Sequence, residues 1–257
     1  MENQMQATLP GRSGPDSYRT TARAVGVLFL AGIVVYVGGN GLVQSVLGAP
    51  DHLASVSSNS TLVAVGALLM LMAALFDAAH GILMLPVLKQ HDEGLAFGYL
   101  GARLVDAVLL AVGVLFVLLQ IPLGREYLNA GAVDASALRA LSALSEQTNL
   151  YAYQIAMIAV GLAGLMLCSV FYRARLVPRL VAGWGLVGYA LLLGGSVAEV
   201  LGVDLRLIHT IPGGLWELFI GVWLIAKGFG ASPVPSERTT ASTMPTRTSP
   251  NVGSAAA

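Results

Sequence analysis

Long apolar runs separated by short polar breaks fill most of this chain. Six runs can be marked out, at about 20–47, 61–88, 95–121, 148–172, 180–203 and 213–229. About 20 apolar residues in a helix cross the hydrocarbon layer of a bilayer, so each run has roughly the length of a span. The sixth is the shortest, but its Trp216 and Trp223 suit a membrane helix near its interfaces. Backbone groups in lipid must be satisfied within the segment, so the runs are helices. The two-residue alternation of a membrane barrel is absent. The pattern predicts an all-α membrane protein with six transmembrane helices in one domain, residues 18–230. The flanks 1–17 and 231–257 are polar and aperiodic, and both are expected to be disordered. A cleaved signal peptide is not expected, because the polar lead is long and the first apolar run continues too far.

Composition agrees. Of 257 residues, 56% are hydrophobic and only 11% are charged, against about 25% charged in soluble domains. The net charge is zero, which leaves no basic surface for nucleic acid. The single cysteine, Cys168, allows no intramolecular disulfide and lies in an apolar run. No Cys/His spacing suggests a metal site, and no cofactor is expected. Haem would need axial ligands facing each other inside the bundle, yet only His80 is deep, with His52, His91 and His209 in or near connections. The segment GGLWELFIG has no phosphate-loop lysine, and no serine sits in a hydrolase elbow.

Basic residues in the flanks set the orientation. Ten fall on the side of the termini: Arg12, Arg19, Arg23, Lys89, Arg173, Arg175, Arg179, Lys227, Arg238 and Arg247. Three (Arg125, Arg139 and Arg206) fall on the other, and Arg103 is inside a helix. That bias predicts cytoplasmic termini. The longer outer connections are 48–60 and 122–147. In the second, Leu138, Leu141 and Leu144 recur at three-residue steps. This is the pattern of a short amphipathic surface helix or an extension of the fourth span; a plain covering loop and a substrate lid are the other readings. Arg23, Gly32, Gly38 and Gly39 in the first span recur at the same offsets as Arg179, Gly188, Gly194 and Gly195 in the fifth. Close packing at small residues explains this echo more simply than a repeat.

Five ionisable residues interrupt the apolar runs. Asp77 and His80 are three apart in the second span, as are Arg103 and Asp106 in the third. Folding the hairpin between His91 and Asp92 puts Asp77 level with Asp106, and His80 level with Arg103. Tyr99 shares the Arg103 face, and Ala73, Ala74 and Gly81 would let the partner helix approach. Glu217 in the sixth span lies at a similar depth. A charge at the bilayer centre costs about 2.5–3.5 kcal/mol on insertion scales, so these residues should face inward and pair. Three acids outnumber one fixed cation, so either His80 is charged or an acid keeps its proton. The set is a candidate ligand or proton site, or simply a lock on the hairpin in which Asp106 neutralises Arg103 within one helix and Asp77 hydrogen-bonds His80 within the other. A weaker outer group, Asn40, Gln44, Tyr153, Gln154 and Glu199, is a candidate vestibule, or interfacial residues satisfied by water.

Several segments in order, TARAVGVLFLAG, ARLVDAVLL, FYRARLVPRLVAGWGLVGY and GLWELFIGVWLIAKGF, resemble a bacterial integral membrane family called domain of unknown function 4386. The resemblance covers about residues 18–229. It implies a multi-pass protein of the bacterial cytoplasmic membrane and supplies no activity, ligand or catalytic residue. Arg103 and Glu217 match its pattern, which more often has glutamate where Asp106 stands. The leading expectation is binding, and with it transport or sensing, of a small molecule or ion in an outward-facing cavity, Arg103 anchoring an anionic or polar group. A non-catalytic assembly or accessory protein is the alternative, and an intramembrane enzyme the third. The bilayer is the expected partner; nothing requires or excludes a homo-oligomer.

Overall fold

The first apolar run begins earlier than its hydropathy suggests. In the computed structural model, which describes residues 15–230, helix α1 spans Pro15–Leu47. The expected disordered tails lie outside the described residues, except that residues 15–17 open α1. There follow α2 (His52–Ser58), α3 (Ser60–Leu88), α4 (Glu93–Tyr127), α5 (Ala132–Ala174), α6 (Arg179–Val200), a 3-10 turn (Ile208–Thr210) and α7 (Ile211–Ala226). No strand occurs among the described residues. Six of the helices are long and apolar enough to cross a membrane. Each packs on its neighbours in sequence, and α7 returns to α1. The six therefore close into a ring.

Glycines set the closest crossings, as expected where small residues let helix backbones meet. A Cβ placed on Gly26 of α1 would lie 2.5 Å from the Gly221 carbonyl of α7, and one on Gly39 would lie 2.6 Å from the Gly66 carbonyl of α3. The two members of the glycine echo have different neighbours: Gly39 meets that backbone, whereas Gly195 meets the ring of His209. At the end that carries the termini, Leu88, Ala96, Leu167, Phe171 and Leu224 pack into the largest hydrophobic cluster. A second cluster, including Val43, Val56, Val63 and Val117, fills the opposite end between α1, α2, α3 and α4.

The outer connections differ from the expectation. Residues 122–147 are not a loop: α4 runs through Pro122 to Tyr127, and α5 starts at Ala132. Pro122 is tolerated because backbone groups freed in such helices find partners nearby, and Gly124 allows close approach to Leu53 and Ser57 around α2. Of the readings of 132–147, the extension of the fourth span holds. Its leucine stripe faces out, with Leu141 and Leu144 exposed, while Ser142 and Ser145 are buried. Helix α2 was not legible in residues 48–60. Trp216 is fully enclosed by protein and donates its indole N–H to the Val181 carbonyl at 2.7 Å.

The α3–α4 hairpin is held at its turn by Asp92, the N-cap of α4, whose Oδ1 accepts from the Leu95 amide at 2.9 Å. Asp92→Ala should lower the stability of the purified protein by about 1 kcal/mol, read as a drop in thermal midpoint that Asp92→Asn largely restores.

Candidate functional site

The helix ring encloses a cavity of about 240 Å³ to which all six spanning helices contribute. This is somewhat below the usual range of small-molecule sites, which starts at about 300 Å³. Asp77, His80, Arg103 and Glu217 all line it. The hairpin register that brings them together is visible at Gly81, where an added Cβ would lie 3.0 Å from the Cβ of Arg103.

Arg103 is the hub. Its Nη1 donates to Asp77 Oδ1 at 2.8 Å and lies 3.6 Å from Asp106 Oδ2. Its Nε donates to the Tyr99 hydroxyl at 3.4 Å. The Tyr99 hydroxyl also bonds His80 Nδ1. Arg103 can only donate to the hydroxyl, while the sense of the bond between that hydroxyl and Nδ1 follows the His80 tautomer. His80 Nε2 has no hydrogen-bond partner among the described residues. Phe29 lies edge-on against the imidazole, ring centres 4.2 Å apart, and Trp216 and Tyr189 continue the aromatic row. Tyr189 donates to Glu217 Oε1 at 2.8 Å.

The acids divide by exposure. The Asp77 side chain is 31% exposed while paired with Arg103, whereas Asp106 is fully enclosed. Asp106 does not line the cavity, and neither of its oxygens has a hydrogen bond. Arg103 thus sits between an acid that faces the cavity and one shut away behind it. The expected local pairings, Asp106 with Arg103 and Asp77 with His80, are replaced in part. Asp77 reaches across the hairpin to Arg103, and His80 turns to Tyr99. Arg103 is enclosed by protein partners, so its contact with the cavity is shared with Asp77 and does not make it a free anchor.

The five outer residues do not form one vestibule. Asn40 and Gln44 line a separate pocket of about 470 Å³ with Gln120, Ser145, Glu146 and Asn149. Tyr153 belongs to the central cavity, where it stacks on Tyr36 with ring centres 5.8 Å apart. Asn40 and Asn149 lie one turn beyond Tyr36 and Tyr153 along their helices, so the tyrosine pair stands between the two spaces. Gln154 is buried with its amide unpartnered, and Glu199 accepts from the Leu205 amide at the end of α6; neither lines either pocket. The buried Gln120–Ser142 bond (2.6 Å), joined by His52 at 2.9 Å, escaped sequence reasoning. So did Tyr36 and Tyr189. A tyrosine in an apolar run has an apolar body and gives little signal until its neighbours are known. Among the described residues no cluster of His, Cys, Asp and Glu is arranged to hold a metal.

The fold and the cavity define a polytopic helical membrane protein with a charged, aromatic-lined chamber at its centre. The chain belongs to the family described as Domain of unknown function (DUF4386), whose model matches residues 24–228. No curated protein and no solved structure matches it.

Proposed function

We propose that this protein binds a small molecule or ion in the central cavity, as a step in transport or sensing. The observation that carries this is the Asp77–Arg103 pair beside open volume. A lock between helices would exclude solvent from both partners, yet Asp77 keeps a third of its side-chain surface free. The ten-to-three bias of basic residues supports cytoplasmic termini. In that orientation the packed cluster at the terminal end shields the cavity from the cytoplasm, and the membrane is the cytoplasmic membrane of a bacterium. The competing reading, buried charges that only specify packing, is favoured by the enclosure of Arg103.

A filled cavity tests the two. Gly32 lines the cavity, and a Cβ there would meet nothing within 4 Å. Gly32→Phe should therefore occupy the volume without disturbing helix contacts. Gly183, equally open but outside the cavity, provides the control. Native mass spectra of protein released gently from its membrane should show an added mass in wild type and Gly183→Phe, and not in Gly32→Phe. An identical bare mass for all three would favour the packing role.

A further inference from the structure

We propose that the cavity takes a lipophilic monocation, an amine or quaternary ammonium on an alkyl or aryl tail, and that it enters from the bilayer between α1 and α7. This rests on the cavity being a ligand site and names the ligand class and its route.

The route follows from what closes the cavity elsewhere. Towards the termini lies the large hydrophobic cluster, and towards the opposite end stands the Tyr36–Tyr153 stack. The side between α1 and α7 is different. The two helices touch at Gly26 and Gly221, where an added Cβ would strike the facing backbone. Antiparallel pairing from that contact sets Ile33 level with Gly214, and Val37 level with Thr210. All four line the cavity, as does Gly32. Added Cβ atoms on Gly32 and Gly214 meet nothing, and Val37 is 64% exposed. A mouth thus lies on the lipid-facing side of the ring, edged by Ile33, Val37, bare backbone and Thr210, whose hydroxyl is turned to the Leu207 carbonyl. A molecule dissolved in the bilayer can pass it without crossing water.

Charge selects the class. Asp77 and Glu217 face the cavity with Arg103, and Asp106 stands behind Arg103. Arg103 is already paired with Asp77, so a second anion would have to compete with that carboxylate for the guanidinium and would meet two or three carboxyls beside it. A cation meets the opposite balance, and it also meets rings. Phe29, Tyr36, Phe76 and Tyr153 supply aromatic surface to the wall, and cations favour aromatic faces by about 0.5–2 kcal/mol. His80 shares Nδ1 with the Tyr99 hydroxyl and is not a fixed cation. The other titratable side chains beside the cluster are Tyr99, Tyr189 and Cys168, the last buried against Trp216. None of them contributes a second fixed positive charge. Until a cation arrives, protons must balance the surplus carboxyls, so each cation that binds should send about one proton from a carboxyl to water.

The test uses the full chain in lipid nanodiscs, with octyltrimethylammonium and octanesulfonate as probes of equal tail and opposite charge. Equilibrium dialysis should show saturable binding of the ammonium, near one per chain, and none of the sulfonate above empty discs. A pH indicator in weak buffer should record about one proton released per cation bound. Asp77→Asn and Gly214→Leu should each weaken binding at least tenfold, while Gly183→Leu should not. Gly214→Leu narrows the mouth and leaves every charge in place, so the prediction survives if Asp77→Asn misfolds. Saturable binding of the sulfonate in place of the ammonium overturns the cation class and leaves the cavity reading standing. Ammonium binding unchanged in Gly214→Leu overturns the lateral route. If neither probe binds while the added mass persists in wild type and is lost in Gly32→Phe, the ligand class is wrong. If that mass is absent too, both readings fall.

Discussion

Replacing Arg103 by methionine should destabilise the folded protein by about 3–5 kcal/mol, the usual consequence of removing one partner of a buried ion pair. The reason is local. Asp77 loses its 2.8 Å hydrogen bond, and Asp106, which already lacks one, loses the cation that lies 3.6 Å from it. Tyr99 loses a donor as well. Most of the penalty belongs to the stranded acids, so Arg103→Met combined with Asp77→Asn and Asp106→Asn should recover much of it. Thermal unfolding in one detergent, with a cycle over the single and combined variants, measures this directly. Additive losses would show that Arg103 and the two acids do not act as a unit. The cavity would then lose the fixed pair on which its ligand reading depends.

The second large effect is expected at Gly164. A Cβ there would lie 2.2 Å from ring carbons of Tyr189, which is fully enclosed between α5 and α7. Overpacking a tight core costs about 1–3 kcal/mol, and Gly164→Ala should fall at the upper end because the obstacle is a rigid ring. The displaced ring must also draw its hydroxyl from Glu217, now held at 2.8 Å. Gly164→Ala should therefore lower the thermal midpoint and weaken ammonium binding together. Gly101→Ala, which adds a methyl to open space outside the cavity, should change neither. A drop in stability with binding intact would show that Glu217 keeps its place without Tyr189.

The spans were legible because bilayer thickness imposes a length on every apolar run. Their ends were less so, because a helix does not stop where hydropathy does. At α5 the polar stretch from Asp134 to Thr148 looked like a surface feature, since its leucines carried the periodic signal. Those leucines point outward, and the bundle is bound by Ser142 and Ser145, small polar residues that mean nothing until Gln120 and the Phe116 carbonyl are set against them. In the charged cluster, hairpin arithmetic was enough to place Asp77 level with the third span. It could not tell a partner at the same depth from one a turn away. Arg103 is long enough to choose either, and it chose Asp77. Gln154 and Glu199 shared a depth with Tyr153 but not a direction, because depth alone leaves rotation about the helix axis undefined.

Helix α5, from Ala132 to Ala174, is unbroken over 43 residues. At about 1.5 Å per residue it is roughly 65 Å long, twice the ~30 Å of the hydrocarbon layer. Such a rod behaves as a shaft. Glu146, on the part bordering the outer pocket, and Tyr153, in the stacked pair beside the cavity, are about two helical turns apart on the same rigid piece. Torque applied at the outer end cannot be absorbed in a hinge between them. Whatever grips residues 132–146 turns the tyrosine.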